Sequence, residues 1–147
     1  MQADLIIMMA RENKQSDATL GTAIIVDDMP AIREVLNRIL VSINIDVLAQ
    51  AASLAHAITM CEQLKPSLVC LDIGLPDGNG LELLTKIKRT LPNTGVIIIS
   101  GDSHREIVLA AMRAGADDFI VKPFNVFKTQ RSICQVIEKK KQECQVK

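Results

Sequence analysis

Tryptophan and tyrosine are absent from this chain of 147 residues, and phenylalanine occurs three times. That scarcity removes the rings on which a bound flavin is commonly stacked. Neither sign of charge prevails, since 17 Lys and Arg balance 17 Asp and Glu. No global field draws in nucleic acid or an anionic membrane, and neither is expected as a partner. The balance conceals a local asymmetry: acids gather near a few loops, and the C-terminal stretch "KKKQECQVK" is basic. The cysteines Cys61, Cys70, Cys134 and Cys144 lack the close pairing of a zinc knuckle. Nothing marks the chain as secreted, so they read as reduced thiols, two or three of them filling the core. Long apolar runs are missing too. "LIIMMA", residues 5–10, is six residues long, against about 20 for a bilayer span. No basic segment precedes it as in a signal peptide, and a cytoplasmic protein is the expectation.

What is present is a regular alternation, on a length that suits one domain. "TAIIV" (22–26), "DVLAQ" (46–50), "SLVCLD" (67–72), "GVIIIS" (95–100) and "DDFIVK" (117–122) are short, largely apolar runs, the first rich in β-branched residues, and read as strands. Between them run helical stripes. Ile32, Val35, Leu36, Ile39 and Leu40 are spaced i, i+3, i+4, i+7, i+8 behind Pro30. Leu54, Ala57, Ile58, Cys61 and Leu64 make a second stripe, and Leu81, Leu84, Ile87 and Leu91 a third, stopped by Pro92. "REIVLAAMRAG" closes on Gly115, and a last helix spans 125–141 with lysines toward its negative end. Five strand–helix repeats with continuous apolar strands predict an α/β fold. It is a doubly wound, five-stranded parallel sheet with five helices and right-handed crossovers. Residues 1–20 read as a poorly ordered N-terminal extension, with a helix docking on the domain as the alternative, and 21–147 as the domain.

In open α/β sheets ligands bind beyond the carboxyl ends of the strands. The first strand ends in Asp27 and Asp28, the third in Asp72, the fourth in Ser100 and the fifth in Lys122. In the common order 2-1-3-4-5 the first and third strands are neighbours, so three carboxylates converge with a hydroxyl and an ammonium beside them. Three such carboxylates need a cation, because like charges raise one another's pKa. An all-oxygen, open site suits Mg²⁺, with Mn²⁺ as the alternative. Held between that cation and Lys122, Asp72 is placed to attack an electrophilic phosphorus, and Ser100 to hydrogen-bond the acyl phosphate formed. Each residue alone has a duller reading. Asp72 in "LDIGLPDGNG" is turn chemistry, and the Asp pair a helix N-cap. Their joint arrival at one sheet edge favours the functional one.

"IIVDDMPAIREVL", "LVCLDIGLPDGNGLELL", "VIIISG" and "AGADDFIVKPF" resemble, in order and spacing, the receiver domain of two-component response regulators. The resemblance covers residues 22 to about 140. It implies a flavodoxin-like fold and a phosphoryl group taken from a histidine kinase or histidine phosphotransfer protein. By the same resemblance Asp72 is the phosphoacceptor, Asp28 a direct metal ligand, Asp27 a supporting acid and Gly74 a ligand through its backbone carbonyl. Ser100 is the switch hydroxyl, Lys122 the phosphate-binding lysine in a cis bond to Pro123, and Phe119 the aromatic that moves inward with Ser100. Gly74 and Asp102 flank the path of the hydrolytic water and are expected to set the phosphoryl lifetime. Met29 departs from the polar or acidic residue common at its position.

The fourth helix, fifth strand and fifth helix form the expected signalling face. Asp118 and Glu106 supply acids there and Arg113, Lys128 and Arg131 bases, which would suit a homodimer. An output domain or effector outside this chain is a further expected partner, whether the chain is a stand-alone receiver or a fragment of a larger regulator. His56 and His104 read as surface residues. Two other classes compete. A phosphatase with an Asp nucleophile and Mg²⁺ needs a second Asp where Gly74 stands. A flavin carrier would meet repulsion from Asp27 and Asp28. A receiver-like scaffold that is not phosphorylated is the third alternative, and the intact acidic set weighs against it.

Overall fold

The computed structural model describes residues 19–146. The expected extension, residues 1–20, falls outside the described residues up to position 18. Leu20 donates its amide to the Asn44 carbonyl at 2.9 Å and packs its side chain against the core.

Five parallel strands form the sheet: β1 (Gly21–Val26), β2 (Ile45–Ala51), β3 (Leu68–Leu71), β4 (Gly95–Ser100) and β5 (Asp118–Val121). Their spatial order is β2-β1-β3-β4-β5, the order expected from the sequence. Among the described residues the helices are α1 (Pro30–Ser42), α2 (Leu54–Leu64), α3 (Gly80–Thr90), α4 (Arg105–Arg113) and α5 (Val126–Val146). The last runs further toward the C-terminus than the stripe at 125–141 suggested, because no Gly or Pro interrupts "KKKQECQV". A short antiparallel ladder joins Gly74–Leu75 to Gly78–Asn79 in the loop after β3, which the turn-rich sequence there concealed.

The inner strands β1, β3 and β4 are almost wholly apolar because both faces of the sheet are covered there, whereas the edge strand β2, IDVLAQA, alternates buried and exposed residues. Successive residues point to opposite sides. Ala23 and Ile25 join Leu36, Leu40, Ile133 and Ile137 of α1 and α5 in one core. Ile24 and Val26 join Leu54, Leu83, Ile87 and Ala111 of α2, α3 and α4 in the other. Cys70 and Cys134 belong to the first core and Cys61 to the second. Burial pushes the Cys61 and Cys134 thiols up to about 11 and that of Cys70 up to about 12, with nearby acids adding to the first two. These thiols are inert packing groups, while Cys144 is free and exposed. Val35 and Leu64, counted above in the apolar stripes, lie on the outer flanks of α1 and α2 and stay exposed.

Helix ends follow local chemistry. Pro30 opens α1, whose preformed φ needs no donated hydrogen bond there. Ser53 accepts the His56 amide at 3.3 Å to cap α2, and Asn79 accepts the Leu81 amide at 2.9 Å to cap α3. Beyond α4 the chain turns at Gly115, where φ is +102°, a conformation that L side chains resist. Among the described residues no helix is long and apolar enough to cross a membrane.

Candidate functional site

The ladder hydrogen bonds continue one residue past the strands and fix the side chains at their ends. Asp27 donates its amide to Ala51, Asp72 donates to Val26 at 2.9 Å, and Lys122 donates to Ser100 at 2.9 Å. The parallel register therefore carries Asp27, Asp72, Ser100 and Lys122 to one edge of the sheet. Asp27, Asp28 and Asp72 each offer one carboxylate oxygen there, and these atoms all lie within 4.8 Å of one another. Asp27 and Asp72 are buried and Asp28 is exposed.

Lys122 Nζ donates to Asp27 Oδ2 at 2.6 Å and to Asp72 Oδ2 at 3.2 Å. Sequence reasoning set the lysine opposite Asp72; the closer partner is Asp27. Asp27 Oδ1 accepts the Met29 amide at 2.9 Å, and its backbone carbonyl accepts Arg33 Nη1 at 2.8 Å. The Asp pair is thus not the side-chain cap of α1, whose N-cap position is Met29. Asp72 Oδ1 accepts the Gly74 amide at 3.3 Å.

Burial pushes the Asp72 carboxyl above the usual carboxylate range; Lys122 opposes this and Asp27 adds to it. Burial also works against the Lys122 ammonium, yet Asp27 and then Asp72 outweigh it and hold its pKa above the ordinary value. Three carboxylates against one ammonium leave an excess of negative charge in a partly dehydrated pocket. The donors are all oxygen, the choice of a hard divalent cation. The residues fit such an ion.

Ser100 is buried, and its hydroxyl accepts the Asp102 amide at 3.1 Å. Phe119 is partly buried against the α2–α3–α4 core. The Lys122–Pro123 bond is cis. Gly74 is exposed, and a Cβ placed there meets no atom within 4 Å. Asp102 is exposed and lies 2.6 Å from His104 Nδ1. Hydrogen bonds from the His104 ring and amide hold its carboxyl below the usual range. His56 is exposed in the first turn of α2. On the α4–β5–α5 face Asp118 accepts both the Phe119 amide and the Ser132 hydroxyl, Arg131 lies 5.6 Å from the Phe127 ring centroid, and Glu106, Arg113 and Lys128 are exposed.

Two supports of the site went unread in the sequence. Asp77 accepts the amides of Leu54 at 2.7 Å and Ala55 at 3.0 Å, tying the loop after Asp72 to the N-terminus of α2. These amides hold its carboxyl below the usual range. Gly80 packs directly behind Asp72: a Cβ there would lie 2.3 Å from the Asp72 carbonyl oxygen and 2.9 Å from Ile73 Cα. In "LPDGNG" both look like ordinary turn residues, and only the tertiary contact distinguishes them.

Comparison with known proteins agrees with this geometry. The family model described as "Response regulator receiver domain" matches residues 23–137. The chemotaxis protein CheY of Thermotoga maritima is 33% identical over 113 residues, covering 77% of this chain and 94% of that protein. A CheY-like response regulator receiver domain protein from Methanospirillum hungatei superposes with a TM-score of 0.80 at 30% identity, covering 85% of this chain and 99% of that one. CheY in a CheX–CheY–BeF3–Mg complex from Borrelia burgdorferi gives 0.75 at 28% identity, with 78% and 87% covered. Fold, strand order, matched span and the acids at the strand ends agree, and the chain belongs to the response regulator receiver family, signalling domains that interact with histidine kinases and phosphotransfer proteins.

Proposed function

We propose that the chain is a phosphorylation-driven switch in which Asp72 is the phosphoacceptor. A carboxylate oxygen of Asp72 attacks the phosphorus of a phosphohistidine on a kinase or phosphotransfer protein. The O–P bond forms as the N–P bond breaks, and the imidazole leaves with its electron pair and takes up a proton. The observation that carries this reading is the cluster itself: three carboxylates within 4.8 Å and a lysine in contact with two of them. Asp27, Asp28, Asp72 and the Gly74 backbone carbonyl would hold Mg²⁺ or Mn²⁺, which when bound neutralises charge on the transferring oxygens. The BeF3 and Mg named with the Borrelia relative support that assignment.

Lys122 orients one phosphoryl oxygen, and Ser100 exchanges its contact with the Asp102 amide for a second. Phe119, not fully buried beforehand, follows Ser100 inward. Reversing a 1:99 equilibrium takes about 5.5 kcal/mol of differential binding, and two charge-assisted hydrogen bonds supply roughly 1.5–3 kcal/mol each. A partner or second copy on the α4–β5–α5 face would complete the shift. Leu109, Met112, Val121 and Phe127 are exposed there, which supports a homodimer. The domain spans residues 21–147 behind an extension at 1–20, acts in the cytoplasm, and turns over no substrate of its own.

Intact-mass measurement after incubation with acetyl phosphate and Mg²⁺ tests the reading. The wild-type chain gains one phosphoryl group and Asp72→Asn gains none. No gain in the wild type, or equal gain in the variant, overturns it. Sedimentation with and without beryllofluoride tests the dimer.

A further inference from the structure

A cleft of about 660 Å³ lies at the end of the molecule opposite Asp72, where Ser67 leads into β3 and Thr94 into β4. Its walls are largely apolar, with Pro66, Leu91, Pro92 and Ile137 among them, and the exposed Cys144 of α5 stands on its side. Lys65 and Lys141 also line it, and neither side-chain ammonium has an ion-pair or hydrogen-bond partner among the described residues. The proposed switch uses none of these residues.

The chain enters the fold beside this cleft. A Cβ on Gly21 would sit 3.3 Å from Ser67 and 3.4 Å from Ile137 Cδ1, and both residues line the cleft. Leu20 lines a smaller apolar hollow of about 90 Å³ that shares Ile137 and Lys141 with it. The segment upstream holds one apolar run, "LIIMMA" at 5–10, with Asp4 before it and Glu12 shortly after. A polar stretch, "RENKQSDAT", separates the run from Leu20. About ten residues of tether reach roughly 33 Å when extended, ample for a cleft two of whose lining residues, Ser67 and Ile137, adjoin Gly21.

We propose that residues 5–10 dock in this cleft in the same molecule. The apolar run covers Leu91, Pro92 and Ile137, and Asp4 and Glu12 approach the unpartnered lysines on the rim. The tether supplies an effective concentration on the order of millimolar, so a modest apolar contact suffices. Docking leaves the Asp72 edge open and straps α5 to the turns before β3 and β4. Because α5 also borders the proposed signalling face, the strap is placed to restrain that helix.

Cys144 reports on the strap, since the other three cysteines are buried. In the full chain, its reaction with a water-soluble thiol reagent is followed for the wild type and for Ile6→Asp/Ile7→Asp. The expected result is a rate at least about tenfold faster in the variant with an unchanged circular dichroism spectrum. Both substitutions lie upstream of the first strand and of every core residue among the described residues, so a folding failure does not confuse the reading. Equal rates overturn the proposal. In dilute full-length Met8→Cys, mild oxidation is expected to join residue 8 to Cys144 within one chain. A disulfide formed only between chains overturns the intramolecular strap in favour of a second copy's segment, and no disulfide at all overturns docking altogether.

Discussion

Lys122 Nζ sits 2.6 Å from Asp27 Oδ2 and 3.2 Å from Asp72 Oδ2, so one ammonium serves two buried carboxylates that belong to different strands. The arrangement is frustrated without a cation. Lys122 compensates Asp27 better than Asp72, and burial keeps the Asp72 pKa raised. The fold therefore carries a carboxylate whose ionised form is disfavoured until more positive charge arrives.

The sign of that frustration is testable. An acid with a raised folded-state pKa destabilises the fold at pH values above it, and the cost is relieved as pH falls through it. Asp72→Asn removes the cost, so without divalent ions at pH 7 the variant should melt above the wild type. Lys122→Ala leaves Asp27 and Asp72 buried and unpaired, and should lose about 3 kcal/mol, as expected for a broken buried pair. Mg²⁺ should raise the wild-type melting temperature by mass action and raise that of Asp72→Asn less. Calorimetry with and without MgCl₂ checks all three orderings.

Gly80 and Gly74 should respond oppositely to the same change. A methyl group at Gly80 meets the Asp72 carbonyl oxygen at 2.3 Å and Ile73 Cα at 2.9 Å, so backbone must shift. Gly80→Ala is expected to cost about 1–3 kcal/mol, the range for overpacking, and to slow phosphorylation by displacing Asp72. At Gly74 nothing lies within 4 Å, and Gly74→Ala should fall within about 0.5 kcal/mol of the wild type. Urea titrations of the two variants distinguish them.

Most of the architecture was legible because both faces of the sheet are buried at its centre, which turns β1, β3 and β4 into nearly unbroken apolar runs, with shorter ones in the edge strands β2 and β5. The acids, Ser100 and Lys122 were legible because each stands where such a run stops. What was hidden depends on residues meeting across the fold. Asp77 reaches the amides of Leu54 and Ala55 more than twenty positions away, and Gly80 matters only because Asp72 lies against it. The Asp27–Lys122 contact spans β1 to β5, and residue spacing could say that these groups share an edge but not which pair is closest. Val35 and Leu64 erred the other way: their spacing fits an apolar stripe, yet the stripe is wider than the surface that covers it.

Asp117 should govern part of the acid limb of stability. Its side chain lies 2.6 Å from Lys88 and 3.4 Å from Lys140, and it accepts the Val96 amide at 2.8 Å. Burial alone would raise its pKa, but the Lys88 hydrogen bond, the Val96 amide and the charges of Lys88 and Lys140 outweigh it and hold it below the usual range. A depressed carboxyl stabilises the fold above its unfolded-state value, and that contribution is lost as pH falls through the folded-state value. Asp117→Asn should therefore be less stable than the wild type at pH 7, with the gap closing below about pH 4. Denaturant midpoints across pH 3–7 measure the convergence.

Asp77→Ala should loosen the loop that follows Asp72 without unfolding the sheet. The carboxylate satisfies two donors at the start of α2, and its loss leaves those amides to water. Ser53 still caps the helix from within, so α2 persists. Amide hydrogen exchange is expected to accelerate at Leu54, Ala55 and residues 74–79, while Val69, Ile97 and Ile98 in the core keep their protection. Uniform acceleration across the chain would instead mean global destabilisation.

The lifetime of the proposed acyl phosphate should depend on Gly74. Hydrolysis requires water to approach the phosphorus along a line that Asp72 itself does not occupy, and the open surface at Gly74 leaves room for it. A long polar side chain there would fill that approach without disturbing the fold, because no neighbour contests the space. If excluding or misplacing the water adds about 1.4 kcal/mol to the barrier, dephosphorylation slows about tenfold. Gly74→Gln, loaded with acetyl phosphate and then freed of donor, is expected to keep its label longer than the wild type by roughly that factor. Asp102→Ala serves as the counterpart, since the Asp102 carboxylate is held by His104 and its amide donates to the Ser100 hydroxyl. A decay rate unchanged in Gly74→Gln would mean that water reaches the phosphoryl group by another path, with Asp102 the next position to examine.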